Sequence, residues 1–564
     1  MTEVLFKLAR VDYLIIIIYF VFVLGIGFLL KRYMKTGKDF FLSGRSIPAW
    51  VAGLAFLSAN LGALEILGMT ANSYQHGIQT VHFYWIGAIP AMLFLAIFMM
   101  PFYYGSKVRS VPEYLSLRYN EATRGLNAIS FAVMTVLMSG ISLYSMAIIF
   151  RLLLGWDLNM SIFVSAGVVL IYVVLGGLTS SIFNEVLQFF LIWLGLLPLP
   201  ILGLMKVGGW KGLEQGVLQS PIPHVQQWAQ GFLNAWSSLG SPATNSVGVD
   251  WLGTALGLGF VLSFGYWCTD FLVVQRAFAA ENLPAAQRAP IYATFFKMMV
   301  PFLVVVPGLL AIVLLPPLSS EADKLNSYNM ALPLLMQKFY PPGMIGLGLT
   351  ALLASFMSGM AGNVTAFTTV WTYDIYQAYI NRKASDKHYM LMGRIATIAA
   401  VLISIATAYM VMGFKTIMDY MQVVFSCVNA PLFATFLLGM FWRRATGWGG
   451  FTGLMAGIFS ALIMFFGGNW VPAGSCLHKL NFLSADPTAM GATFWRAWWA
   501  WVVCFLVTII VSYFEKPKSD EELQGVVYGL EDKTLAYKSP WYNHPVFLAI
   551  ASGIILIILD VIFF

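Results

Sequence analysis

Apolar residues recur along this chain in blocks long enough to cross a bilayer, and polar residues fall both between the blocks and inside some of them. Windows of about 20 apolar residues mark fourteen spans, near residues 12–30, 47–72, 81–103, 126–155, 159–178, 182–207, 251–276, 291–316, 342–376, 390–412, 416–441, 446–467, 492–515 and 544–564. No long polar stretch separates two cores, so the pattern predicts one all-α helical bundle. The second block is the most informative. AWVAGLAFLSANLGALEILGM, from Ala49 to Met69, could cross a membrane, yet Ser58, Asn60 and Gly62 interrupt its middle and Glu65 follows. A spanning helix satisfies its backbone internally, so such a run predicts an unwound turn whose carbonyls can hold a cation. The competing reading is close helix packing through small residues. Asn60 and Glu65 beside the glycine favour a binding site.

A second interrupted block runs from Gly257 through Gly265 to Asp270. The two broken spans lie an odd number of spans apart and so cross in opposite directions, the sign of an inverted-topology repeat. The predicted organisation is an extra helix and inner loop (1–46), a first five-helix unit (47–207), an outer loop (208–250), a second five-helix unit (251–441) and flanking helices (442–564). Charge sets the orientation. The loop after the first span holds Lys31, Arg32, Lys35, Lys38 and Arg45, against Lys7 and Arg10 in the tail. The tail is therefore outside, and counting onward puts both termini outside. The inner loops then collect Lys107, Arg109, Arg118, Arg124, Arg276, Arg288, Arg382, Lys383, Lys387, Arg443, Arg444, Lys516, Lys518, Lys533 and Lys538.

At 59% hydrophobic and 10% charged residues, with a mean hydropathy of +0.78, the chain is a polytopic membrane protein. Its net charge of +7 is explained by the inner loops, so no nucleic-acid partner is expected. The first span is too long for a signal-peptide core and is retained. Cys268, Cys427 and Cys504 lie in apolar runs and Cys476 in a loop, and six histidines, mostly read as loop residues, show no metal spacing. No phosphate-binding loop occurs, and Lys516 to Pro540 is too short for a catalytic module. The protein is not expected to be an enzyme.

Other spans carry polar groups. LLASFMSGMAGN presents Ser355, Ser358, Gly359, Gly362 and Asn363, a face suited to close packing or to an ion. Lys297 lies within FFKMMVPF, costly for an ammonium without a partner, and Glu65 is the expected one. Glu185 and Asp419, the latter near Gln422, read either as groups within spans or as interfacial residues reaching water. The last two spans are expected only to flank the core.

GKDFFLSGRSIPAW, SANLGALEILGM, VRSVPEYLSLRYN, VVLGGLTSSIFNEVLQ, YWCTDFLVVQRAFAA, FKMMVPFLVVVPG and YDIYQAYI together resemble the sodium/solute symporter family, which includes sodium/galactose cotransporters. The resemblance runs from about Asp39 to Arg444. It implies a LeuT-type core of five plus five inverted helices, one helix before it and three after, with sodium entry driving solute uptake. By position it implies a sodium site made by the carbonyls of Ser58 and Leu61, the carbonyl of Ser355 and the hydroxyl of Ser358. Gly359 stands where the family usually has a second hydroxyl, so one oxygen is missing, and Ala361 and Gly362 replace hydroxyls of a further site in some members. One sodium per cycle is expected. Glu185 matches an acidic position implicated in cation entry or coupling.

For the solute, the resemblance implies contacts from Asn60, Lys297 and Gln422, with Tyr266 closing the pocket from inside and Trp267 beside it; Met69 also belongs to this set. Glu65, Tyr84, Ser263 and Gly87 depart from the sugar-binding pattern, where the family has Gln, Glu, Asn and Ser. A Glu65–Lys297 ion pair would leave a nearly neutral site suited to a sugar or polyol. If either charge is free, a monocarboxylate or amino acid becomes plausible. A channel would need a continuous polar pore and a repeated filter motif, which the chain lacks. A transporter-like sensor would carry a signalling module after the last span, and the sequence ends in an apolar run. Proton coupling is the other alternative. The resemblance further implies a bacterial inner membrane, a lipid bilayer around the chain, and a monomer or weak homo-oligomer.

Overall fold

The computed structural model describes residues 8–31, 41, 43–240, 242–321, 327–467, 489–530 and 540–563. Lys7, Arg32, Lys35, Lys38, Lys533 and Lys538, used above for topology, and Cys476 and His478 lie outside these. Among the described residues there are helices and no strand.

The first broken span is α2 (Ala49–Asn60) followed by α3 (Leu64–His76), bent by 58°; α1 (Arg10–Lys31) precedes it. Pro48 starts α2 by fixing its own φ at −60° and lacking a donor where none is needed. The helix stops because Leu61 turns to ψ 46°, and the Gly62 amide then takes the Asn60 carbonyl at 2.7 Å. After α4 (Ile78–Gly105) come α5 (Glu121–Leu154) and α6 (Leu158–Leu196). Asn120 caps α5 through the Thr123 amide at 2.9 Å, and Gly155 ends it at φ 65°. The second broken span is α7 (Gly253–Thr269) and α8 (Phe271–Phe278), bent by 47°. Then follow α9 (Leu283–Leu314), α10 (Met344–Ile380), α11 (Asp386–Val411), α12 (Ile417–Phe441), α13 (Gly447–Gly467), α14 (Met490–Tyr513) and α15 (Pro545–Ile562).

The packing has the two-fold relation expected of an inverted repeat. α2 packs on α9 and its counterpart α7 on α4, while α5 packs on α11 and α12 and its counterpart α10 on α6. α1 lies against α6 and α10, where Asp12 accepts the Gly343 and Gly346 amides at 2.7 and 2.9 Å and so caps the start of α10.

Several expectations change. The gap expected between the spans at 159–178 and 182–207 is not at 179–181, where the chain is helical; the apolar helices are Leu158–Ile171 and Leu178–Val207. Arg276, counted with the inner loops, is fully buried. Arg118 is buried too, donating to the Gly439, Trp442 and Ala445 carbonyls. The flanking helix α14 is not purely apolar, since buried Arg496 donates to Ser426 of α12 at 2.8 Å. His76 and His82 are buried rather than in open loops, with ring nitrogens 2.9 Å from the Ser246 carbonyl and 2.7 Å from the Ala235 carbonyl. That contact fastens part of the outer segment over the end of α3.

Candidate functional site

A cavity opens between the two breaks, and all nine residues expected around the solute line it: Asn60, Glu65, Met69, Tyr84, Ser263, Tyr266, Trp267, Lys297 and Gln422. The bend after Asn60 carries Glu65 to the face of α9 that presents Lys297. The Lys297 ammonium lies 2.5 Å from Glu65 Oε1 and 2.5 Å from Asn60 Oδ1, and all three residues are buried. Its charge also stands 4.9 Å from the Tyr84 ring and 5.2 Å from the Trp267 ring, within cation–π range. Asn60 then donates its Nδ2 to the Tyr266 hydroxyl at 3.1 Å, and the Tyr266 ring stacks on Phe425 at 5.0 Å. One connected set therefore links both broken spans to α9. The Gln422 carboxamide oxygen, also in the cavity lining, is buried without a hydrogen-bond donor, so it can receive a hydroxyl.

Two departures from the sugar-binding pattern are coupled by space. Ser263 Oγ donates to the Leu258 carbonyl at 2.8 Å, and a Cβ on Gly87 would come 2.3 Å from that oxygen. A serine at 87 does not fit beside a serine at 263 held this way.

The four residues expected around sodium meet beside the first break. Ser358 Oγ donates to the Ser58 carbonyl at 3.1 Å and lies 3.4 Å from Ser58 Oγ, and Ser355 Oγ donates to the Leu61 carbonyl at 2.6 Å. The Ser355 hydroxyl therefore reaches the cluster, where only its carbonyl was expected. Each hydroxyl keeps lone pairs for a cation after rotating its hydrogen away. Gly359 has a packing reason: a Cβ there would lie 3.2 Å from Gly62 Cα and 3.2 Å from Ser142 Oγ. The broken turn and α10 touch backbone to backbone.

Glu185 is not interfacial. It is fully buried on α6 in a bidentate pair with Arg276 of α8, with Nε 3.1 Å from Oε2, and it accepts the Ser181 hydroxyl at 2.8 Å. Asp419 is likewise buried, in the first turn of α12. Sequence reasoning missed the apolar wall, including Met138 and Ile141 of α5 and Met418, Met421 and Phe425 of α12. Apolar residues facing a cavity carry the same pattern as those facing lipid. Among the described residues no group of three or more His, Cys, Asp or Glu could hold a metal ion.

The family model for the sodium:solute symporter family matches residues 40–457. The chain belongs to the sodium:solute symporter family. It is 28% identical over 481 residues to a sodium/glucose cotransporter of Vibrio parahaemolyticus, covering 83% of this chain and 87% of that protein. It is also 28% identical to sodium/glucose cotransporter 1 of Sus scrofa, over 92% of this chain and 81% of the relative. Among solved structures, it resembles a Na+-coupled sialic acid symporter in a substrate-bound outward-open state, at a TM-score of 0.74 and 20% identity over 91% of this chain and all of the other. The all-helical inverted-repeat architecture of the LeuT type is thereby the fold of this symporter, an integral multi-pass membrane protein.

Proposed function

We propose that this symporter uses an inward sodium gradient to take up a neutral polyhydroxylated solute, a sugar such as galactose or glucose or a polyol, by alternating access. The observation that carries the reading is the Lys297–Glu65 pair. With the two charges joined and Asn60 on the same ammonium, the cavity has no free charge from this pair to select an anion or an ammonium group. It offers instead a polar edge formed by Asn60, Lys297 and Gln422 against the rings of Tyr84, Tyr266 and Trp267. Ring faces suit the apolar side of a pyranose, and the polar edge suits its hydroxyls. The names of the Vibrio and Sus relatives support the same class. A monocarboxylate or amino acid would need one member of the pair released, which makes it the weaker reading.

Sodium is assigned to Ser58, Leu61, Ser355 and Ser358, with the Ser355 hydroxyl making up the oxygen that Gly359 lacks. Unwound carbonyls and a serine face can replace part of a hydration shell. Glu185 is assigned a coupling role through Arg276, which ties α6 to the second broken span. The bacterial relative and the basic inner loops support a bacterial inner membrane with both termini outside, and the protein is read as a monomer or weak homo-oligomer.

Uptake of labelled hexoses, polyols, monocarboxylates and amino acids into proteoliposomes, with an inward sodium gradient and then with potassium, tests the proposal. Sodium-dependent accumulation of a hexose or polyol is expected. Uptake confined to a charged class, or indifferent to sodium, refutes it.

A further inference from the structure

The polar groups of the cavity are largely spent on one another. The Lys297 ammonium gives hydrogens to Asn60 and Glu65, and Asn60 in turn donates to the Tyr266 hydroxyl at 3.1 Å. Asn363 and Asp270 also line the cavity and are engaged too. Asn363 donates to the Gly359 carbonyl at 3.0 Å, and Asp270 caps α8 by accepting the Leu272 amide at 2.9 Å. Ser142 lies beside Gly359, where the serine cluster is. What is left to meet a solute is the remaining N–H of Lys297, the second oxygen of Glu65, the Tyr84 hydroxyl and the Gln422 carboxamide oxygen, the last two buried without a hydrogen-bond partner.

Where α4 meets α7 the wall is bare. Phe83 and Ala88 of α4 and Leu258 and Leu262 of α7 line the cavity there. Ser263, the next residue of α7, turns its hydroxyl onto the Leu258 carbonyl at 2.8 Å. A Cβ on Gly87 would come 2.3 Å from that oxygen, so the two helices are too close at this level for position 87 to send a side chain into the cavity. A fully hydroxylated pyranose carries hydroxyls around its whole rim. However it is turned, the part of the rim against this wall buries a hydroxyl with no partner, and a water cannot bridge to side chains that have no polar atom.

We infer that the solute is a deoxy sugar: a pyranose whose hydroxyls reach Glu65, Lys297, Tyr84 and Gln422, with hydrogen or methyl in place of a hydroxyl on the edge against Phe83, Ala88, Leu258 and Leu262. The inference rests on the neutral-sugar reading proposed above and narrows it. Ring faces and a polar edge select a pyranose as a class; the bare wall selects within that class. An apolar wall rejects an added hydroxyl only moderately, so the parent sugars are substrates of lower affinity.

Half-saturation of sodium-driven uptake into proteoliposomes, measured on sugars that differ by one oxygen, tests it. The panel pairs glucose, galactose and mannose each with its 6-deoxy form, and glucose with its 2-, 3- and 4-deoxy forms. For at least one position the deoxy sugar is expected to half-saturate at a concentration roughly tenfold lower than its parent, the effect of one unpaired hydroxyl. Ala88→Ser and Leu262→Asn each put a polar atom in the wall and should narrow that difference by lowering the value for the parent sugar. A parent sugar equal to or better than its deoxy form at every position overturns the inference and leaves the sugar reading standing, as does a deoxy preference that neither variant narrows. Refusal of every sugar overturns it too, and if polyols are also refused the neutral-solute reading falls with it. If the variants fail to fold, the wild-type comparison alone decides.

Discussion

The Lys297 ammonium and the Glu65 carboxylate, 232 positions apart in the chain, lie 2.5 Å apart in the structure. The contact exists because α2 stops at Asn60: an unbroken helix would not give Glu65 the course it takes along α3, which leaves at 58°. The break thus does two things at once. It exposes the carbonyls of Ser58 and Leu61 to the serines of α10, and it brings a carboxylate to α9, whose Lys297 lines the cavity. With sodium at the serines and solute in the cavity, as proposed, the two sites would share a single turn of backbone, and occupancy of one would be felt at the other.

Lys297→Ala should therefore be more damaging than Glu65→Gln. Removing the lysine strands a buried carboxylate and frees Asn60, at a cost of roughly 3–5 kcal/mol. Glutamine at 65 can still accept from the ammonium, which keeps Asn60 and its two ring faces. Uptake should be abolished in the first variant and reduced in the second, with a larger fall in thermal stability for the first. Comparable uptake by the two would count against the pair as the organising contact.

Ser355→Ala and Ser358→Ala each remove one hydroxyl from the cluster at the first break. The sodium concentration for half-maximal uptake should rise roughly three- to tenfold in each, equivalent to about 1 kcal/mol. Ser355 is the sharper case, because a residue acting only through its carbonyl would tolerate alanine. Unchanged sodium dependence in Ser355→Ala would return that residue to the carbonyl role alone.

Much of this was legible in the chain because membrane interiors penalise polar groups. Ser58, Asn60, Glu65 and Lys297 stand out against apolar runs, and a lone lysine between Phe296 and Met298 calls for a carboxylate. The parity of the two breaks then gave the inverted repeat. What could not be read follows from the same rule. Met138 and Ile141 face the cavity, yet nothing in their type separates them from lipid-facing neighbours. The pairing of Arg276 with Glu185 depends on where α8 turns after Asp270, a matter of tertiary geometry.

Restoring a hydroxyl at 359 should not improve sodium binding. In Gly359→Ser the new Cβ would press on Gly62 Cα and Ser142 Oγ, each 3.2 Å away, and a backbone contact has little room to yield. Over-packing of this kind costs roughly 1–3 kcal/mol. The expected outcome is a lower melting temperature with sodium affinity unchanged or weaker. A clear gain in affinity would mean that the oxygen at Ser355 does not make up the difference.

The Glu185–Arg276 pair gives the last prediction, since it links α6 to the inner arm of the second broken span. Both side chains have no solvent exposure, so neither can trade its partner for water. Arg276→Met leaves Glu185 bare, with only the Ser181 hydroxyl at 2.8 Å, and should cost roughly 3–5 kcal/mol, read as a loss of monodisperse protein. Glu185→Gln keeps an acceptor for the guanidinium and removes one negative charge. It should fold and slow uptake without changing which solute is accepted, because the pair touches α8 and not the ring-lined edge of the cavity. The double variant Glu185→Gln with Arg276→Met should recover folding relative to Arg276→Met alone, because it leaves no unpaired charge at that position. If the double variant also transports at the wild-type rate, the pair holds α8 in place and has no part in coupling; if it folds but stays slow, α8 needs the charged link to move with the ion.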